Sequence, residues 1–164
     1  MSYEPLYVAY LVYFNRDRDY FECHEVLEEL WLEQGYDPFY KGLLQVAVGL
    51  FHARRGNRLG GMKMLSSALE RLAPYPEHAL GIDLGQLRQD ATLYVKQLAD
   101  EAGTPFKYYD LTIRVLDAEL AEAVERTAAQ LVPNHPQQQK PQRGPKHKER
   151  LLKLEQRKTG PQSE

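Results

Sequence analysis

Residues Asp19 to Gln34 read DYFECHEVLEELWLEQ, and this stretch decides the fold. At about 100° per residue of an α-helix, Tyr20, Phe21, Cys23, Leu27, Leu30, Trp31 and Leu32 share one broad arc, and His24 and Glu28 fall inside it. An imidazole and a carboxylate one turn apart are thus expected to head for the interior, where an unpaired ionisable group is costly. Glu25 lies at the edge of the arc. Glu29 points outward on this reading, and Glu25, Glu29 and Glu33 form a solvated acidic face. The helix has a start and a stop: Asp19 and Glu22 are spaced as a capping box, and Gly35 precedes Asp37-Pro38.

The same patterns extend along the chain. Glu4 to Phe14 reads as a short helix closed by the charged turn Asn15-Arg16-Asp17-Arg18. Phe39 to Arg55 is apolar nearly all round apart from Lys41, Gln45 and His52, which suits the middle of a bundle. On one flank of that helix Gly42, Gly49 and Ala53 recur at helical spacing. A glycine inside a helix costs roughly 1 kcal/mol relative to alanine, so close approach of a neighbouring backbone is the expected compensation. Gly56-Asn57 ends this helix, and Met62 to Leu72 follows, stopped by Pro74 and Pro76. Asp83 and Gln86 repeat the capping-box spacing and open a helix running to Gly103. Residues 104–116 carry Leu111, Ile113 and Val115 in strand-like alternation with no second strand candidate to pair with, so the stretch is expected to be extended. Ala118 to Leu131 is the last helix.

These readings give an all-α fold, a compact bundle of about six helices arranged as helical hairpins over residues 1–132. Residues 133–164 turn to Pro, Gln, Lys and Gly, a composition too poor in apolar surface to offset ordering entropy, and are expected as a mostly disordered basic tail. Its stretch KHKERLLKLEQRK sets Leu151, Leu152 and Leu154 among cations, as either a solubilising end or a short amphipathic binding segment.

The 164 residues suit one domain, and 43% hydrophobic content can build a core. The formal charge of -2 conceals an asymmetry. Residues 1–133 hold 13 Lys and Arg against 20 Asp and Glu, whereas residues 134–164 hold eight against three. An acidic body argues against a nucleic-acid-binding face, which needs clustered cations, and leaves any such role to the tail. Cys23, the single cysteine, has no internal disulfide partner and reads as a small buried hydrophobe. The opening MSYEPLYVAYLVYF lacks a positive leader and is too short in its apolar run to span a bilayer, so a cytoplasmic protein with no membrane role is expected.

The candidate polar site comprises His24, Glu25, Glu28, Gln45 and His52, with Tyr20, Phe21 and Trp31 as supporting core. Three readings stay open. Structurally, His24 and Glu28 hydrogen-bond to each other, to Tyr20 or to the third helix and fix helix packing. As a metal site, His24, Glu28 and His52 with water suit a divalent transition ion, although the zinc protease pattern His-Glu-x-x-His has glutamate at its last position here, and the paired Glu-x-x-His of di-iron bundles is absent. As an acid/base pair, a buried glutamate beside a histidine can move a proton near neutral pH. No nucleophile elbow, phosphate loop or dinucleotide glycine motif accompanies the pair, so neither a substrate class nor a cofactor follows.

The residues Tyr20-Phe21-Glu22-x-His24-Glu25-x-Leu27-Glu28-Glu29-x-Trp31, Gly42-Leu43-x-Gln45-x-Ala47-Val48 and His52-x-x-x-Gly56-Asn57 resemble the family labelled domain of unknown function 309. Leu72-Ala73-Pro74-Tyr75 and Gly81-Ile82-Asp83 fit as well, and the likeness covers roughly Tyr13 to Leu87. It implies a compact all-helical domain of bacteria and archaea with no established activity. A weaker likeness is to tetratricopeptide hairpins: Gly49, Gly56-Asn57, Gly61, Leu65, Ala68-Leu69 and Pro74 lie near that repeat's small and large positions, and Asp19-Tyr20, Cys23 and Leu27 echo its second half. No period of about 34 residues recurs, so hairpin packing is expected without a repeat array. The functional expectation is a binding or protein-interaction module with a buried His/Glu centre, taking a protein or small ligand and compatible with a homo-oligomer. The alternative is a small metal-dependent or acid/base hydrolase using His24, Glu28 and His52.

Overall fold

The first helix, α1 (Pro5–Val12), begins with proline at its first turn, where a missing N–H is harmless. A computed structural model of the chain describes residues 3–100, 102–103 and 105–134. The helices α2 (Tyr20–Glu33), α3 (Pro38–Arg54), α4 (Arg58–Leu72), α5 (Leu84–Ala99) and α6 (Ala118–Gln130) follow. They lie in a series of neighbours in which α6 packs on α1, α1 on α2, α2 on α3, α3 on α4 and α4 on α5. The fold is all-helical, as the periodicity requires. No helix among the described residues is long and apolar enough to cross a membrane. The expected tail, with Leu151, Leu152 and Leu154, falls almost wholly outside the described residues.

Side-chain caps set the helix starts. Asp19 accepts from the Glu22 amide at 3.1 Å and Asp83 from the Gln86 amide at 3.0 Å, as the spacing of both pairs predicts. Asn57 does the same for Gly60 at 2.9 Å, so α4 starts at Arg58, four residues before the expected Met62. The pair Gly60-Gly61 obscures that turn in the sequence. Helix α5 ends at Ala99, short of Gly103.

The small flank of α3 is the seam with α4. A Cβ on Gly49 would lie 2.7 Å from Leu65 Cγ, one on Gly42 2.7 Å from Leu72, and one on Gly61 3.0 Å from the Gly49 carbonyl oxygen. The pairs 42/72, 49/65 and 49/61 run in opposite directions along the two chains, so α3 and α4 are antiparallel, and glycine lets their backbones touch. Around this seam Leu43, Leu50, Leu65, Ala68 and Leu98 are fully or nearly fully buried.

Two segments depart from expectation. The charged turn Asn15–Arg18 is instead mostly helical: α1 runs into a π-helix over Tyr13–Asp17, and Arg18 ends it in the left-handed region at φ 55°. The wider turn aims Asn15 at residue 113, whose carbonyl receives its amide at 2.8 Å and whose N–H donates to its oxygen at 3.0 Å. The stretch 105–116 is extended, but it does find a strand partner. His78–Ala79 pairs antiparallel with Ile82–Asp83 around Leu80-Gly81, both at positive φ, and Ile82 bridges Val115. Strands of two residues carry no alternation to recognise, which is why the loop YPEHALGI conceals them.

Candidate functional site

Helix α2 has a buried face rotated from the expected arc. Tyr20, Cys23, Val26, Leu27 and Leu30 are fully buried, and Glu22, Glu25 and Glu29 accompany them at 5%, 3% and 6% exposure. Leu32 is 49% exposed, and Phe21 and Trp31 are only half-buried. The expectation that Glu25 and Glu29 form a solvated face is therefore corrected; Trp31 does pack against the core from a half-buried position, whereas Phe21 is half-buried at its edge. Val26, outside the expected arc, marks the true centre of the buried face. Trp31 also stacks edge-on to Tyr36 at 4.9 Å and carries the Lys41 ammonium 4.6 Å above its ring.

His24 and Glu28 sit on the flank between this buried face and solvent. The His24 side chain is one-third exposed, and its Nδ1 is 3.8 Å from an oxygen of the buried Glu25. His24, Glu25 and Glu28 each offer one ligand atom, and these atoms all lie within 4.8 Å of one another, with Glu28 the most exposed of the three. Positions i, i+1 and i+4 of one helix make the cluster, so its backbone is rigid and only side-chain torsions need adjust.

The other two candidates lie elsewhere. Gln45 is buried against α4, where its Oε1 accepts from Arg71 Nε at 3.1 Å. His52 is 3.4 Å from the Asn57 amide and edge-on to Phe51. Among the described residues, the His24 cluster does not include His52. A stripe on a neighbouring helix need not face a given partner, and the α3 stripe of Gln45 and His52 is turned partly toward α4 and the α3–α4 loop.

Tyr20 belongs to a different polar group that sequence reasoning missed. Its hydroxyl is 2.7 Å from that of Tyr108 and donates to Asp110 at 3.2 Å, and Tyr108 donates to the same carboxylate at 2.6 Å. Arg18 Nε lies 3.7 Å from the other Asp110 oxygen, and the Arg54 guanidinium lies 4.6 Å over the Tyr20 ring and donates to the Arg18 carbonyl at 2.8 Å. Burial pushes the Tyr20 phenol up to about 12 and the Tyr108 phenol well above its ordinary range. Both stay neutral donors near pH 7. The group ties the extended stretch 105–116 to α2 and α3, and the only sequence signal for it is the pair Tyr108-Tyr109 before Asp110. Cys23 is fully buried, its thiol 3.6 Å from the Tyr10 carbonyl and pushed up by burial. That is the environment of an inert structural thiol.

Comparison with known proteins places the chain. The model of the family described as Domain of unknown function (DUF309) matches residues 7–64, which contain α2, α3 and the His24 cluster. An uncharacterized protein of Bacillus subtilis (strain 168), YpuF, is 34% identical over 131 residues, covering 74% of this chain and 70% of that protein. This chain belongs to the DUF309 family. An uncharacterized protein of Aquifex aeolicus (strain VF5) is 33% identical over 73 residues, 43% of this chain and 22% of the relative. No solved structure matches.

Proposed function

We propose that this DUF309 domain is a binding module whose polar centre takes one divalent transition-metal ion on His24, Glu25 and Glu28. The observation that carries the reading is the convergence of three ligand atoms within 4.8 Å on one helix. In a tetrahedral site with bonds of about 2 Å, ligand atoms stand roughly 3.3 Å apart. The cluster needs to contract by up to about 1.5 Å, within the reach of the more exposed Glu28 side chain. Imidazole with two carboxylates suits zinc, iron or manganese, whereas a site of hard oxygens alone would favour magnesium or calcium. Glu25 is 3% exposed, so solvent screens a cation bound there only weakly.

The test is calorimetric titration of untagged, metal-free protein with Zn²⁺ and Mn²⁺. One equivalent of at least one ion is expected to bind. His24→Ala and Glu28→Gln each weaken binding at least tenfold, and His52→Ala leaves it unchanged. Absence of binding, or loss only with His52→Ala, removes the reading.

A hydrolytic reading would use this cluster with Glu25 in place of the His52 expected from the sequence, because three protein ligands leave a position for water on the exposed side. It requires turnover of a hydrolysable substrate that depends on the ion and is lost with Glu28→Gln.

A further inference from the structure

We infer that the outward stripe of α2 is the interface through which two copies of this chain pair about a two-fold axis. The helices run antiparallel, with His24 of each copy against the partner's Glu28. The pairing needs no bound cation and is independent of the cation reading.

Three observations converge on it. The first is the set of side chains that α2 turns outward. At about 100° per residue, Phe21, His24, Glu28, Trp31 and Leu32 fall within an arc of about 100°, and the eight buried residues of the helix occupy the rest. Glu22, Glu25 and Glu29 are on the inner side, so the helix buries carboxylates while leaving aromatic and aliphatic surface in water. Leu32 is 49% exposed, and Phe21 and Trp31 are half-buried. Tyr36, 61% exposed and edge-on to Trp31, extends the apolar end. Aromatic side chains of this kind anchor interfaces between proteins.

The second observation is spacing. Phe21, His24, Glu28 and Trp31 follow one another at intervals of three, four and three residues, the seam along which two helices interlock. This order is symmetric about Val26. Turned end for end, Phe21 meets the partner's Trp31 and His24 meets the partner's Glu28, and each contact occurs twice, as a two-fold interface requires.

The third is complementarity. Apolar groups stand at the two ends of the stripe, and at its centre an imidazole N–H is set to donate to a carboxylate of the other copy. Run parallel, the same stripe would oppose Glu28 to the partner's Glu28, so like charges select the antiparallel register. Glu28 is the most exposed member of the His24 cluster, which leaves its carboxylate free to turn outward. A cation at His24, Glu25 and Glu28 would gain the partner's Glu28 as a further ligand, but the contact does not require one. Helix α2 is about 21 Å long, so the interface is small and the pair a transient one.

Sedimentation equilibrium of the full chain with a chelator present, over about 5–500 µM, tests the proposal. A monomer–dimer equilibrium with no larger species is expected. Phe21→Ser together with Leu32→Ser raises the dissociation constant at least about tenfold, whereas Leu59→Ser, at a 62% exposed position on α4, leaves it unchanged. His24→Glu alone sets like charges across the axis and weakens the pair by about tenfold or more. Combining it with Glu28→Lys brings opposite charges together again and returns the dissociation constant to within about threefold of the wild type. Because the chelator removes any cation, failure here leaves the calorimetric test of the cation site standing. A chain monomeric at every concentration, a dimer that forms only when Zn²⁺ replaces the chelator, or one indifferent to the serine or His24→Glu changes overturns the proposal. So does a charge exchange that fails to restore the pair.

Discussion

The hydroxyl groups of Tyr20 and Tyr108 meet at 2.7 Å, 88 residues apart in sequence, and this contact joins the extended stretch 105–116 to α2. Tyr108 donates to Asp110 at 2.6 Å, and the same oxygen meets the Tyr20 hydroxyl in a bond in which either group can be the donor. Removing that oxygen takes away two hydrogen bonds at once. Tyr108→Phe is expected to lower stability by about 1–2 kcal/mol in urea unfolding, with little change in the spectrum of α4 and α5. Unaltered stability would mean that the clasp does not hold the strap.

Alkaline titration probes the same tyrosine. The Tyr20 phenol is pushed up to about 12 by burial, with the bond to Tyr108 opposing that shift, from an ordinary value of 10.0. Because the folded value lies above the unfolded one, the contribution is intact below pH 10 and is lost as pH rises toward 12, where only the unfolded chain releases its proton. The loss is of the order of 2–3 kcal/mol for this group. Burial raises Tyr7 and Tyr10 as well, so the decline is steep. Stability measured by urea unfolding should fall from pH 10 to 12 in the wild type and less in Tyr20→Phe; a flat profile would contradict the burial of these phenols.

The α3–α4 seam makes Gly49 a demanding position. An added Cβ would lie 2.7 Å from Leu65 Cγ and 3.3 Å from the Gly61 carbonyl oxygen. Overpacking of this kind costs about 1–3 kcal/mol, partly offset by roughly 1 kcal/mol of helix propensity. Gly49→Ala should therefore melt several degrees lower. Gly35→Ala also destabilises, through its φ of +70° rather than through contact, since no atom lies within 4 Å of the site.

Much of this was legible in advance because it is local. The bounds of α2 follow from Asp19 and Gly35, and the close approach of α3 to α4 from Gly42 and Gly49. The face that α2 buries was misjudged for a physical reason. Periodicity weighs apolar side chains, and Phe21, Trp31 and Leu32 outvote Val26. Glu22, Glu25 and Glu29 are buried against that vote. Of the candidate site residues, His24, Glu25 and Glu28 lie together on α2. Gln45 and His52 lie elsewhere, against Arg71 and Asn57, since the rotation of one helix against another is a tertiary property that periodicity does not carry. The π-helix at Tyr13–Asp17 and the hairpin around Leu80-Gly81 are too short to impose a period.

Cys23 offers a check on the α1–α2 contact that requires no mutation. Fully buried, with its pKa raised by burial, it should stay unreactive toward an aromatic disulfide in native buffer and react with one equivalent on unfolding. Rapid reaction of the native protein would contradict the packing of α2 on α1.

The most direct measurement of the cation reading is anomalous scattering from crystals of the untagged full chain grown with Zn²⁺ or Co²⁺. The account predicts one strong anomalous peak beside α2, at about 2.0–2.2 Å from a ring nitrogen of His24 and from carboxylate oxygens of Glu25 and Glu28. An empty map at that position, or a peak held by His52 instead, would contradict it.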